Sequence, residues 1–211
     1  MLKLLYIHGM GGGADSRIPS ILSEELKPYG VEVVCRTYDF DPEKGASQIA
    51  GWVGELKPSL IVGESLGALH ALRLRGLPVL LVSPALNAPY YFSVLSWLTV
   101  IPGVTAIYDR MYRPAEGDRQ KLHFTPGVLS KYMVHRRLAL SGFDLSDAPC
   151  CVYAFFGTRD HYRRSGIVSI RTWKKHFSDS FSIYEGTHFM EEEHVRGMLK
   201  DKILNALNIS M

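Results

Sequence analysis

Cysteine is scarce in this 211-residue chain, and its three copies make no pattern. A bridge between the adjacent Cys150 and Cys151 would be strained, Cys35 stands apart, and neither a Cys-x-x-Cys pair nor a Cys/His metal spacing occurs. A disulfide framework and a cysteine-built zinc site are therefore not expected, and a reducing, cytoplasmic setting is. Cys35 and Cys151 lie in apolar strand-like runs, where a free thiol acts as a small hydrophobe. Long apolar runs are lacking too. The most apolar stretch, Val94 to Tyr108, is broken by Pro102-Gly103 and falls short of the ~18 residues that span a bilayer. The run at Leu2 to Ile7 is too short for a signal peptide and has no small-residue cleavage site after it, so a strand is expected there. Charge of one sign is also missing. The net charge of +3 comes without a concentrated basic stripe, so nucleic acid is not the expected partner. His135-Arg136-Arg137 and the arginines from Arg159 to Arg164 read as solvated faces, or else as contacts for an anionic substrate.

What is present is an ordinary globular balance, 46% hydrophobic and 21% charged. One domain of this length buries roughly 70% of its unfolded surface without staples. Short apolar runs alternate with helical patterns. Strands are expected at Leu2 to Ile7, Val31 to Cys35, Leu60 to Val62, Val79 to Val82, Cys151 to Phe156 and Phe181 to Tyr184. Between them, Ser16 is placed to cap a helix bearing Ile18, Ile21, Leu22 and Leu26. Asp41-Pro42 opens another whose stripe is Ala46, Ile49, Ala50, Val53 and Leu56. Further helices are expected from Leu66 to Arg75, from Ser169 to His176 and from Glu191 onward, the last with Val195, Leu199, Ile203 and Leu207 on one face. Such alternation predicts an α/β fold, a doubly wound, mostly parallel six-stranded sheet with helices on both faces.

One run organises the rest. Leu60-Ile61-Val62-Gly63-Glu64-Ser65-Leu66-Gly67-Ala68 reads as a strand, a sharp turn with serine at its apex, and a helix. Gly63 and Gly67 leave room for a turn so tight that a Cβ at either place would collide with its surroundings. Ser65 would then project its hydroxyl above the sheet, beside a helix N-terminus whose N–H groups and partial positive charge suit a developing oxyanion.

A serine hydroxyl needs a base to take its proton, and the base needs an orienting carboxylate. Of eight histidines, His188 stands in a glycine-flanked loop after the last strand, with His161 and His194 as competitors. His70 lies one helical turn past Ser65 and is expected to face away, and His8 to shape the N-terminal glycine loop. Asp160 follows the fifth strand and is the expected acid; Asp144 and Asp147 compete for that place, and a cap is the alternative role for Asp160. The expected catalytic set is Ser65, Asp160 and His188. The backbone N–H groups of Met10 and Leu66 are the expected oxyanion donors. His8, Ser65, Asp160 and His188 all follow directly after strands, the side on which open α/β sheets bind ligands. The stretch from 85 to 149 interrupts the alternation. It reads as a helical cap, with helices near Phe92 to Val100 and Pro126 to Leu140, inserted in a single domain. Tyr91, Trp97 and Tyr112 in it are expected to bind substrate if the cap is a lid over an acyl chain; the alternative is an extra layer of core.

Together, Leu5-Tyr6-Ile7-His8-Gly9, Gly63-Glu64-Ser65-Leu66-Gly67, Val82-Ser83-Pro84-Ala85, Gly157-Thr158-Arg159-Asp160 and Gly186-Thr187-His188-Phe189 resemble the α/β-hydrolases over nearly the whole chain. Within that superfamily the sequence is most similar to small bacterial esterases of the YqiA type. The resemblance implies strand order 2-1-3-4-5-6, hydrolysis of a small-molecule carboxylic ester or thioester, and no cofactor. An acyltransferase built on the same residues, or a binding protein that has kept the fold without turnover, is the alternative.

Overall fold

The computed structural model describes residues 1–112, 116–141 and 152–209. Six strands run β1 (Leu2–Ile7), β2 (Val31–Cys35), β3 (Leu60–Glu64), β4 (Val79–Val82), β5 (Val152–Gly157) and β6 (Phe181–Tyr184). They pair in the order 2-1-3-4-5-6, and every neighbouring pair is parallel, where the sequence suggested mostly parallel. Asp144, Asp147, Cys150 and the expected first residue of β5, Cys151, lie outside the described residues.

A parallel sheet covered on both faces needs strands that are apolar at every position, each residue serving one face or the other. The central strands meet that demand. Leu5, Ile61, Val79 and Leu81 enter the core on one face, while Leu4, Tyr6, Val62, Leu80 and Val82 enter the core on the other. Register keeps the faces consistent: Leu5 pairs with Ile61, Ile61 with Val79 and Val79 with Val152, all on one side. The second face is covered by α1 (Arg17–Leu26) and by the C-terminal helix, which runs as α9 (Glu192–His194), a π turn (Val195–Leu199) and α10 (Lys200–Ala206).

The first face is covered by α2 (Pro42–Leu56), α3 (Gly67–Ala71), α6 (Pro126–Leu140) and α8 (Ile170–Phe177). Asp41 caps α2, its carboxylate accepting from the Glu43 N–H at 3.0 Å, with Pro42 in the first turn. Two helix details differ from the sequence reading. Ser16 holds the N-cap position of α1 but its hydroxyl accepts from the Gly13 N–H, a turn earlier. Ala50 is exposed on α2; Gly45, Ile49, Trp52 and Val53 face inward, Gly45 filling its place because a side chain there would meet the Asp39 carbonyl.

The 85–149 stretch divides. Helix α6 puts Leu129 and Tyr132 wholly inside the first core, beside Phe40 and Phe92. Ahead of it come α4 (Ala88–Leu98), whose buried residues are Ala88, Pro89 and Phe92, and α5 (Val104–Met111), which buries none wholly. A short helix absent from the sequence reading, α7 (His161–Ser165), follows β5.

Candidate active site

The C-terminal strand ends build the site. At the β3–α3 turn Ser65 has φ 50°, a left-handed conformation that costs a non-glycine residue roughly 1 kcal/mol or more. Its neighbours impose it. The Ser65 N–H donates to the Val82 carbonyl at 2.9 Å, and its own carbonyl accepts from the Ala85 N–H at 3.0 Å, so both sides of the residue are tied to the end of β4. A Cβ at Gly63 would stand 2.8 Å from that of Ala71, and one at Gly67 would stand 2.5 Å from the Ile7 carbonyl oxygen. The sharp turn exists because these two positions carry no side chain.

Asp160 and His188 arrive from the ends of β5 and β6. The His188 Nδ1–H donates to Asp160 Oδ2 at 2.8 Å, and the Ser65 hydroxyl donates to His188 Nε2 at 2.8 Å. An ionised carboxylate only accepts, so Asp160 fixes which ring nitrogen carries the proton and leaves Nε2 free to accept. Asp160 and His188 are both buried, at 3% and 1% exposure, which keeps water from competing for that bond. Asp160 is also the N-cap of α7, its Oδ1 accepting from the Tyr162 N–H at 2.8 Å. The two roles set against each other for Asp160 are held by two different oxygens.

The loop carrying His188 is held from several sides. The Tyr184 hydroxyl donates to the Thr187 carbonyl at 2.8 Å, the Thr187 N–H donates to Glu191 at 2.9 Å, and Arg17 donates to the Met190 carbonyl at 2.6 Å. Facing Ser65 across the mouth is the β1–α1 loop. His8 is buried and its Nδ1–H donates to the Gly9 carbonyl at 2.7 Å, so it shapes that loop; burial lowers its pKa to about 4. Among the described residues, neither the Met10 nor the Leu66 N–H has an acceptor. His70 faces away from Ser65 into a buried cluster, edge-on to Tyr38 and tilted against His135.

A narrow cavity of about 120 Å³ opens at these groups. Met10, Ser65, Leu66 and His188 line one end, and Ala85, Ala88, Phe92, Tyr162, Ile167 and Phe189 form its apolar wall. Tyr91, Trp97 and Tyr112 are not among its lining residues. Tyr91 donates its hydroxyl to the Ser165 carbonyl, Trp97 is 79% exposed, and Tyr112 packs on Phe124. The apolar wall instead comes from the residues beside the functional ones. Tyr162 is two places after Asp160, its ring 4.6 Å from that of His188, and Phe189 follows His188 directly. Proximity to the strand-end motifs was the available signal for them; an aromatic count along the insertion was not.

Glu64 also went unread. It is 8% exposed, lines the cavity next to Ser65, and accepts from the Tyr6 hydroxyl at 2.8 Å; burial raises its pKa. Its place inside the glycine-x-serine turn was the signal. Among the described residues no group of three or more His, Cys, Asp or Glu side chains is arranged to hold a metal ion.

No protein-family model matches the chain, and no curated protein matches it in sequence. Solved structures do. Est1E from Butyrivibrio proteoclasticus, solved with ferulic acid bound, is 16% identical with a TM-score of 0.61, over 99% of this chain and 90% of that one. Mouse alpha/beta hydrolase domain-containing protein 10 is 14% identical with a TM-score of 0.63, over 98% and 89%. The type II thioesterase BorB from the borrelidin biosynthetic cluster is 20% identical with a TM-score of 0.60, over 98% and 91%. Taken with the strand order 2-1-3-4-5-6 and the strained turn after β3, these likenesses identify the chain as having the α/β-hydrolase fold.

Proposed function

We propose that the protein is a serine hydrolase that cleaves a carboxylic ester or thioester with a short acyl group. The observation that carries this is the continuous hydrogen-bonded chain from the Ser65 hydroxyl through His188 to the Asp160 carboxylate, 2.8 Å at each link. In the first step Ser65 Oγ attacks the acyl carbonyl carbon while its proton passes to His188 Nε2. The imidazolium so formed is stabilised by the Asp160 carboxylate. The oxygen that gains charge is received by the N–H groups of Met10 and Leu66, which have no other acceptor among the described residues. Collapse of the tetrahedral species expels the alcohol or thiol, which takes the proton from His188. Water then repeats the sequence on the acyl-serine and restores the free enzyme.

The apolar wall of Ala88, Phe92, Tyr162 and Ile167 takes the acyl chain, and a volume of about 120 Å³ suits only a few carbons. Beyond Met10 a wider recess of about 360 Å³, lined by Gly11, Ser16, Arg17 and Arg119, leaves space for the departing group. Among structures of similar fold, Est1E is solved with ferulic acid and BorB is a thioesterase, which supports acyl-group chemistry without choosing the substrate.

A fluorophosphonate probe and p-nitrophenyl esters of graded length test the reading together. Wild type should be labelled and should prefer acetyl to butyryl esters over octanoyl, and Ser65→Ala should lose both label and turnover. A wild-type protein that takes up no probe and cleaves none of the esters sinks the proposal.

A further inference from the structure

From α4 to the end of α5 the chain presents large apolar side chains that none of the described residues covers. Val94, Trp97, Val100, Ile101, Ile107 and Met111 are each more than half exposed, Trp97 at 79%. Such residues scattered singly need no explanation, but these six fall within 18 consecutive positions, Val94 to Met111. Helix α4 is apolar nearly all round, a pattern that belongs to a helix with partners on every side, and only its Ala88 and Phe92 side is buried in the protein. Among the described residues no helix is long and apolar enough to cross a membrane.

The charge around these two helices says what covers them. Residues 85 to 112 hold one acid, Asp109, and one base, Arg110. The five helices α4 to α8 together carry nine lysines and arginines against that single acid. Three of the arginines lie on or beside these helices: Arg110 on α5, Arg136 stacked 4.6 Å over the Tyr90 ring near the start of α4, and Arg164 on α7, which α4 touches through Tyr91 and Ser165. Among the described residues none of the three pairs with a carboxylate. A second copy of this chain would set these arginines against the same arginines. An anionic bilayer would neutralise them, while Trp97 and its apolar neighbours entered the headgroup region, where tryptophan and tyrosine are favoured.

We infer that the α4–α5 segment is a docking surface for an anionic lipid bilayer, inserted shallowly and held by the arginines beside it. Helix α4 carries Phe92 on the wall of the cavity and Trp97 on the outer surface, eight tenths exposed. On the hydrolase reading, a membrane-dissolved ester would reach Ser65 along one helix without crossing bulk water. The docking itself does not depend on that reading.

The test is flotation of the purified protein with vesicles of phosphatidylcholine alone or mixed equally with phosphatidylglycerol, using wild type, Val100→Ser/Ile101→Ser and Arg110→Gln/Arg164→Gln. These substitutions are on exposed positions away from the cavity, so melting temperature and hydrolysis of a short soluble ester should stay near wild type. Wild type should partition onto the mixed vesicles at least tenfold better than onto the neutral ones, and 1 M salt should remove most of the difference. Each double variant should lose about tenfold in binding to the mixed vesicles. Absence of wild-type binding to the mixed vesicles, or binding unaffected by either double variant, overturns the inference. So does a wild-type dimer in sedimentation that Val100→Ser/Ile101→Ser converts to monomer, which would make the occupant a second copy. If vesicles bind but no ester is cleaved, the hydrolase reading fails and the docking surface stands.

Discussion

Asp160 reaches His188 with one carboxylate oxygen and caps α7 with the other, each at 2.8 Å. The residue that orients the imidazole is thereby oriented itself, because the cap prevents the carboxylate from rotating. Asp160→Asn should keep the fold, since the amide oxygen can still cap, while its NH2 cannot accept from His188 Nδ1. Turnover should fall by up to ~10⁴ with little change in KM, as expected when the histidine tautomer is disturbed. Steady-state kinetics and a melting curve on the same preparation check this. An active Asp160→Asn protein would return the acid's role to Asp144 or Asp147.

Strain at Ser65 predicts an unusual pair of variants. Ser65→Gly removes the Cβ that makes φ 50° costly and should raise stability by about 0.5 kcal/mol, net of the entropy that glycine adds to the unfolded chain. Ser65→Ala should leave stability near wild type. Both should be inactive. Denaturant titration of the three proteins decides it, and a Ser65→Gly protein less stable than Ser65→Ala would remove strain from the account.

Gly67→Ala should do the reverse. Its new Cβ would press on the backbone of Ile7 and His8, which cannot move without shifting β1. A loss of 1–3 kcal/mol is expected from such overpacking, with a larger loss of activity because the loop bearing Met10 follows. Melting temperature and probe labelling should both fall.

Buried histidines give the protein an acid-sensitive side. Burial lowers the pKa of His8 to about 4 and of His135 to about 3, the Arg73 guanidinium adding to the effect at His135. The folded state therefore holds both rings neutral where the unfolded chain would protonate them. The stability they protect is complete above about pH 6.5 and is lost as pH falls towards 4 and 3, on the order of 3 kcal/mol for His8 over that span. Melting temperature should already decline between pH 6.5 and 5, where few carboxylates titrate. His135→Gln should flatten the decline, and an unchanged slope would assign it elsewhere.

Tyr184→Phe tests the support of the histidine loop. The lost hydroxyl donates to the Thr187 carbonyl and lies 3.4 Å from the buried Ser83 hydroxyl. Turnover should fall about tenfold with stability down by about 1 kcal/mol. A stability loss with full activity would make Tyr184 purely structural.

The strands were legible because a parallel sheet demands unbroken short apolar runs, and Val79 to Val82 and Phe181 to Tyr184 have the observed bounds. The turn at Ser65 was legible because the two spaced glycines follow an apolar run and precede helix formers. His188 lies within hydrogen-bond reach of both Ser65 and Asp160, and all three stand after strands that the sequence marks. The cavity wall was not legible. Tyr91 and Phe92 are adjacent aromatics, yet a helix turns one outward and the other inward, and only the packing of α4 on α6 decides which. The same holds for α6, whose interior face is set by Phe40 and Phe92 far away in sequence. Helix α7 was too short for periodicity to reveal.

The backbone hydrogen bonds at the tops of the strands continue past the strands themselves. Ser65 N–H to Val82, Ser83 N–H to Phe155 and Thr158 N–H to Tyr184 form one line of rungs from the serine to the loop that bears the histidine. Amide hydrogens at Ser65, Ser83 and Thr158 should therefore exchange with solvent only when the whole sheet opens, at the rate of global unfolding. The reacting groups would then belong to the slowest-exchanging part of the molecule.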